Sequence, residues 1–167
     1  RDSGLLNIDG ISGFRTSLDA SFNDYPAHCG VSVSSVLNAD KTSAEVTVKV
    51  ASEKTGEYRV IVLVLQNKIQ GWQKTTDYPE GDNNYYHNHV VRDVVTSYAK
   101  TFAGEKITED GKITAGDEAS KTWTVAVDPE WVIENTEIYA IVQDESGMVN
   151  NMNLCPVDGG DSGYMLK

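Results

Sequence analysis

His87 and His89 stand two residues apart, and the chain holds three histidines in all. On a β-strand that spacing sends both imidazoles to one face, which is half of a zinc site. A catalytic zinc normally takes three protein ligands plus an open position. Glu80, Asp82 and His28 are the candidate third ligands, yet no spacing ties any of them to the pair. The structural reading is that the two histidines bond to backbone and pin a strand end. With no recognisable third ligand, that reading is preferred. No cofactor is expected, and zinc or calcium is kept as the alternative.

Nucleophilic chemistry has less support. Cys29 follows His28, but adjacent strand residues point to opposite faces. Cys155 precedes Pro156 with no basic neighbour to lower its pKa. The serines between residues 30 and 35 lack the Gly-x-Ser-x-Gly turn of hydrolases. The two cysteines match no metal or redox spacing. They are either two buried thiols or one disulfide, Cys29 to Cys155, which would stabilise by roughly 4–5 kcal/mol.

Two acidic turns invite a calcium reading. Around Glu109-Asp110-Gly111 the first position of an EF-hand loop would be Lys106, which excludes that pattern. Asp158-Gly159-Gly160-Asp161 has too few spaced oxygens, so both are read as solvated turns. Trp72, Tyr78, Tyr85 and Tyr86 could form an aromatic platform for a glycan or a protein. The competing use for them is the core and the cover of a sheet edge. Trp72, set among Gln70, Gly71 and Gln73, is the aromatic expected to be exposed.

The elements that must carry these residues follow from periodicity. Residues 12–23 read as a short helix capped by Ser12, with Phe14, Leu18 and Phe22 on one face and Pro26 beyond its end. Val31 and Val33 open a strand, and Asn38 to Lys41 form a turn. Val46, Val48 and Val50 alternate with polar residues, as do Trp123, Val125 and Val127. Tyr58 to Leu65 is apolar on both faces, and Ile138 to Val142 nearly so. Glu145-Ser146-Gly147 turns the chain into a strand from Met148 to Cys155.

The stretch from Val90 to Phe102 fits a helix face or a strand, and its β-branched content favours a strand through Val91. Arg92 would then face away from both histidines. Residues 103–118 read as a long polar loop. The expected core is Val31, Val33, Val46, Val48, Val50, Val60, Val62, Val64, Trp123, Val125, Val127, Ile138, Ala140 and Val142. Such a series of short strands is an all-β chain, an antiparallel β-sandwich with a short N-terminal helix.

The 167 residues suffice for one buried core, and 40% apolar with 23% charged content is that of a globular protein. The longest apolar run, Val60 to Leu65, has six residues, whereas a membrane helix takes about 20. A net charge of −11 argues against nucleic acid as a partner, since phosphate binding is driven by Lys and Arg. The chain opens on Arg1 without a signal segment, which reads as a mature or excised piece.

Several tracts together carry a family resemblance. They are Val60 to Gln66, Tyr86-His87-Asn88-His89-Val90-Val91-Arg92, Gly104-Glu105-Lys106-Ile107 and Trp123 to Val127, with Ile138 to Val142, Val149-Asn150-Asn151 and Leu154-Cys155-Pro156. Over roughly residues 26 to 166 the chain resembles the second, C-terminal domain of the 28-kDa-type outer membrane lipoprotein family of Bacteroides-group bacteria. The resemblance implies an outer membrane lipoprotein on the surface or periplasmic face. It also implies an immunoglobulin-like sandwich over 26–167, preceded by a thioredoxin-like domain whose tail is 1–25. The lipid anchor would lie upstream, outside this chain.

No catalytic residue carries over from the resemblance, and the chain has no Cys-x-x-Cys for thioredoxin chemistry. His87, His89 and Arg92 match the family pattern without a chemical role. The expected function is therefore a non-catalytic binding or adhesion module of the cell envelope, acting on a protein or glycan at the cell surface. Its candidate binding residues are Trp72, Tyr85, Tyr86, His87, His89 and Arg92. The alternatives are a metal-binding or metal-dependent enzyme domain centred on His87 and His89, and a structural spacer.

Overall fold

The computed structural model describes residues 10–96 and 104–164. One helix, α1 (Gly10–Asp24), precedes thirteen strands. In chain order these are β1 (Cys29–Leu37), β2 (Ser43–Ser52), β3 (Gly56–Glu57), β4 (Arg59–Gln66), β5 (Ile69–Gln73), β6 (Asp82–His87) and β7 (Val90–Val94). They continue with β8 (Glu105–Lys106), β9 (Lys112–Ile113), β10 (Glu118–Ala126), β11 (Thr136–Gln143), β12 (Val149–Pro156) and β13 (Gly160–Asp161). Helix α1 begins two residues before Ser12, which therefore lies inside the helix and is not its cap. Phe14, Leu18 and Phe22 are all exposed on it.

The strands form an all-β sandwich. One sheet runs β10-β2-β1-β13, and the other runs β12-β11-β4-β7 with β8 also paired to β4. Alternation explains the core. Val46, Val48 and Val50 of β2 face Val60, Val62 and Val64 of β4 and Ile138, Ala140 and Val142 of β11, and every one of them is fully buried. Each such valine contributes about 1.5–3 kcal/mol over an exposed one. Trp123 and Val127 pack against the core while remaining partly exposed. Strand β11 buries alternate residues only, so Tyr139 and Ile141 are half-exposed and the strand is not covered on both faces as its sequence suggested.

The polar stretch from 103 to 118 is not simply a loop. It supplies β8 beside β4 and β9 beside β3, and it sinks Ile107 and Ile113 into the core. Strand β7 runs beyond Val91 to Val94, and a bulge opposite Val64 and Leu65 leaves Arg92 without a cross-strand partner. The rest of the ambiguous stretch, 97–102, lies outside the described residues, as does 1–9 of the segment assigned to a preceding domain.

The two sheets meet along β1 and β12, and side chains make the ladder there. Asn151 Nδ2 donates to Cys29 O at 2.8 Å, Asn153 Nδ2 to Val31 O at 2.9 Å, and Ser35 Oγ to Val157 O at 2.6 Å. All three pairs share a sequence offset of 122, so the two strands run parallel in one unbroken register. Asn150 Oδ1 closes the start of this seam by accepting the amide N–H groups of His28 and Cys29. On the opposite side of the sandwich, Lys121 and Trp123 of β10 both bond to the Glu105 carboxylate of β8, at 2.9 and 3.0 Å.

The seam register also decides the cysteines. Cys155 lies four residues beyond Asn151, the partner of Cys29, which is about 13 Å along a strand. A disulfide needs Cα atoms within about 7 Å. Of the two readings of the cysteines, the structure has the first: both are buried, free thiols. A thiol-reactive disulfide such as Ellman's reagent should find no thiol in the native protein at neutral pH and both after unfolding in guanidinium. Finding none after unfolding would restore the disulfide.

Candidate functional site

Between β4 and β7 the chain leaves the sandwich as a ribbon of two antiparallel strands, β5 and β6, which form a sheet of their own. The exit is built from two Asn-containing dipeptides facing each other, Asn67-Lys68 and Asn88-His89. Asn67 Oδ1 accepts the His89 N–H at 2.9 Å, and Asn88 Oδ1 accepts the Lys68 N–H at 3.0 Å. Lys68 and His89 both take left-handed backbone, φ 57° and 55°, a conformation that costs about 1–2 kcal/mol outside glycine. The reciprocal amide bonds offset that cost and hold the junction. Asn67 Nδ2 also donates to Glu137 Oε2 at 2.8 Å, which ties it to β11.

This junction separates the two histidines. His89 sits in the link, where its ring meets Tyr139 edge-on at 6.2 Å. His87 ends β6, its ring 5.0 Å from that of Tyr85 and against Gly71. The left-handed residue breaks strand alternation, so the shared face expected for the pair does not exist. His28 lies elsewhere, with Nε2 2.9 Å from Lys54 Nζ. Among the described residues, no three His, Cys, Asp or Glu groups cluster to hold a metal.

The acidic turns bind their own backbone. Asp110 Oδ1 accepts from Lys112 N–H and Thr108 Oγ, and Asp161 Oδ1 from Ser32 Oγ and Gly163 N–H. These bonds hold both carboxyls below the ordinary range.

Consecutive residues of a strand face opposite ways, and the cross-strand pairs Gly71 with Tyr85 and Gln70 with Tyr86 define two faces of the ribbon. One carries Ile69, Gly71, Tyr85 and His87. The other carries Gln70, Trp72, Asn84 and Tyr86. Trp72, Tyr78, Tyr85 and Tyr86 are 56%, 58%, 42% and 55% exposed, so none is spent on the core. Tyr85 and Tyr86, expected together on one platform, serve opposite faces. Arg92 is not with them. It lines an open cavity of about 520 Å³ with Val91, Asp93, Asp128 and Trp131.

A second cavity of about 500 Å³ borders His28, Cys29, Ser52, Glu53 and Asp117. Its nucleophile is a poor one, because burial pushes the Cys29 thiol up to about 12, opposite to the shift that activates a cysteine. What sequence reasoning missed is the ribbon as an element, together with its Asn67 and Asn88 brackets. Their signal was the Asn-containing dipeptide at each end of a Gln- and Asn-rich stretch.

Fold and site together define a β-sandwich domain bearing a projecting aromatic ribbon. Residues 16–157 match the family described as Outer membrane protein Omp28, and the chain belongs to that family. It is thus a cell-envelope protein of the outer membrane. Among solved structures it is similar to HBP35 of Porphyromonas gingivalis, with 17% identity and a TM-score of 0.59. That match covers 89% of this chain and 46% of the other, so the chain spans about half the length of its structural relative. At this identity the likeness is one of fold. No curated protein matches the chain.

Proposed function

We propose that this domain is a non-catalytic binding module of the cell envelope, and that the β5–β6 ribbon is its recognition element. The observation that carries the proposal is that four large aromatic side chains stay exposed on a ribbon braced at its base by reciprocal amide bonds. Exposed aromatics on a fixed scaffold supply contact area at low entropic cost. The partner is a protein or glycan at the cell surface, not nucleic acid. Attachment through an upstream lipid anchor, a preceding thioredoxin-like domain and an immunoglobulin-like strand plan belong to the same proposal.

Screening the chain on combined glycan and extracellular-protein arrays tests this reading. A ligand is expected whose binding drops at least about tenfold in the Trp72→Ala, Tyr85→Ala, Tyr86→Ala triple variant. Its melting temperature should be unchanged, because the ribbon lies outside the core. Absence of any ligand favours a spacer, and a ligand indifferent to the triple variant places recognition outside the ribbon.

A further inference from the structure

The two ribbon faces differ in chemistry, and the difference points to a ligand class; the inference rests on the binding reading above. In a chain of net charge −11, the four side chains Gln70, Trp72, Asn84 and Tyr86 that build one face carry no formal charge. Trp72 lies on Gly81. A β-carbon at Gly81 would come within 2.2 Å of the indole Nε1 and 2.5 Å of Cε2, so glycine, at φ 94°, lets the ring lie down on the ribbon. The Nε1–Cζ2 edge of the indole lies against Gly81 while the residue remains 56% exposed. Such a ring is ordered before any ligand arrives, and its exposed face can stack. Lys74 Nζ stands over the ring at 6.0 Å from its centroid, the outer limit of cation–π contact, and a ligand stacking there would displace the end of this flexible side chain.

Tyr86 stands opposite Gln70, two residues along the strand from Trp72, where the register shifts. Between them Gln70 Nε2 donates to Asn84 Oδ1 at 3.0 Å and reaches Asn83 O at 3.3 Å. Those bonds orient both amides and leave Gln70 Oε1 and Asn84 Nδ2 as an acceptor and a donor on an exposed surface. Two aromatic rings flanking an oriented acceptor–donor pair match a molecule that is apolar on its C–H face and hydroxylated at its edge. An anionic ligand would be repelled by the acidic chain, and the Asp82 carboxylate beside Asn84 already accepts the Asn84 N–H at 2.8 Å.

We infer that the Gln70–Trp72–Asn84–Tyr86 face binds a neutral saccharide. Trp72 is the stacking platform, Gly81 its cradle, and the Gln70 and Asn84 amides pair with hydroxyl groups.

Affinity electrophoresis in native gels tests this with the whole chain. The gels contain mannan, xylan or a soluble β-glucan as neutral probes, and pectate or heparin as anionic ones. At least one neutral polysaccharide should retard the chain, and the retardation should survive high salt. Trp72→Ala should weaken it about tenfold or more. Gly81→Ala should do the same with Trp72 still present, because the indole loses its seat. Val36→Ala, at an exposed position of β1 outside the ribbon, should leave it unchanged.

Unaltered thermal melts show that the variants fold. A blue shift of tryptophan fluorescence on binding, absent in Trp72→Ala, gives a second readout. Failure of every neutral probe, or equal retardation of Trp72→Ala, overturns the inference. If a protein ligand lost in Trp72→Ala is found instead, the binding reading stands and the saccharide falls. If neither class binds, both fall.

Discussion

Replacing Asn153 with leucine is expected to destabilise the domain by about 3 kcal/mol, read as a lower urea midpoint with an unchanged slope. The side chain is 4% exposed. Its Nδ2 lies 2.9 Å from Val31 O, 3.0 Å from Ser162 Oγ and 2.9 Å from Gly163 O. Leucine has nearly the same size, so little cavity forms. The loss comes mainly from the buried Val31 carbonyl left without a donor, at about 1–3 kcal/mol, while the part-buried bonds to Ser162 and Gly163 add less. Asn151→Leu removes the bond to Cys29 O at a partly exposed position, and a loss of about 1 kcal/mol is expected. If Asn153→Leu cost no more than Asn151→Leu, the seam would not depend on its buried amide.

The second large effect is alkaline instability. Burial pushes the Cys29 thiol from 9.0 to about 12 and the Cys155 thiol from 9.0 to about 11. Below pH 9 both thiols are neutral in folded and unfolded chains, and their contribution is fully present. Above pH 9 only the unfolded chain ionises freely, so stability falls as pH rises through the folded values. By pH 11 the two thiols together account for roughly 5 kcal/mol, a large share of a typical domain's stability. Tyr58, also raised by burial, acts in the same direction. Chemical denaturation between pH 8 and 11 measures the slope. The Cys29→Ala, Cys155→Ala variant should lose most of it, and an equal slope in that variant would show that the thiols are not responsible.

Much of the sandwich was legible because burial on a strand has a local signature. Val46, Val48 and Val50 declare their buried face by alternating with Glu45, Thr47 and Lys49. The same logic holds for Trp123 and Val125. Ile107 and Ile113 escaped notice because each is a single apolar residue, one just after and one within a strand of two residues, too short for any period. The ribbon escaped for a related reason: its alternation is written in Gln, Gly, Asn and Tyr, which carry no hydrophobic signal.

The candidate site was legible in composition more than in geometry. Trp72 could be read as exposed from its polar neighbours. The separation of His87 from His89 could not, since it turns on one left-handed residue stabilised by Asn67, twenty-two positions away. The seam was hidden for a similar reason. Asn151 and Asn153 serve as backbone surrogates for a strand 122 residues distant, and asparagine in a strand gives no hint of its partner.

That seam bears on how the domain takes mechanical load. β1 and β12 lie side by side in the same direction, so tension entering at the start of β1 and leaving at the end of β12 drags one past the other lengthwise. The bonds from Asn151, Asn153 and Ser35 are then strained together, whereas antiparallel neighbours would be peeled apart one rung at a time. Resistance to pulling is a matter of unfolding rate, and a shear-loaded row of side-chain hydrogen bonds slows that rate along this axis.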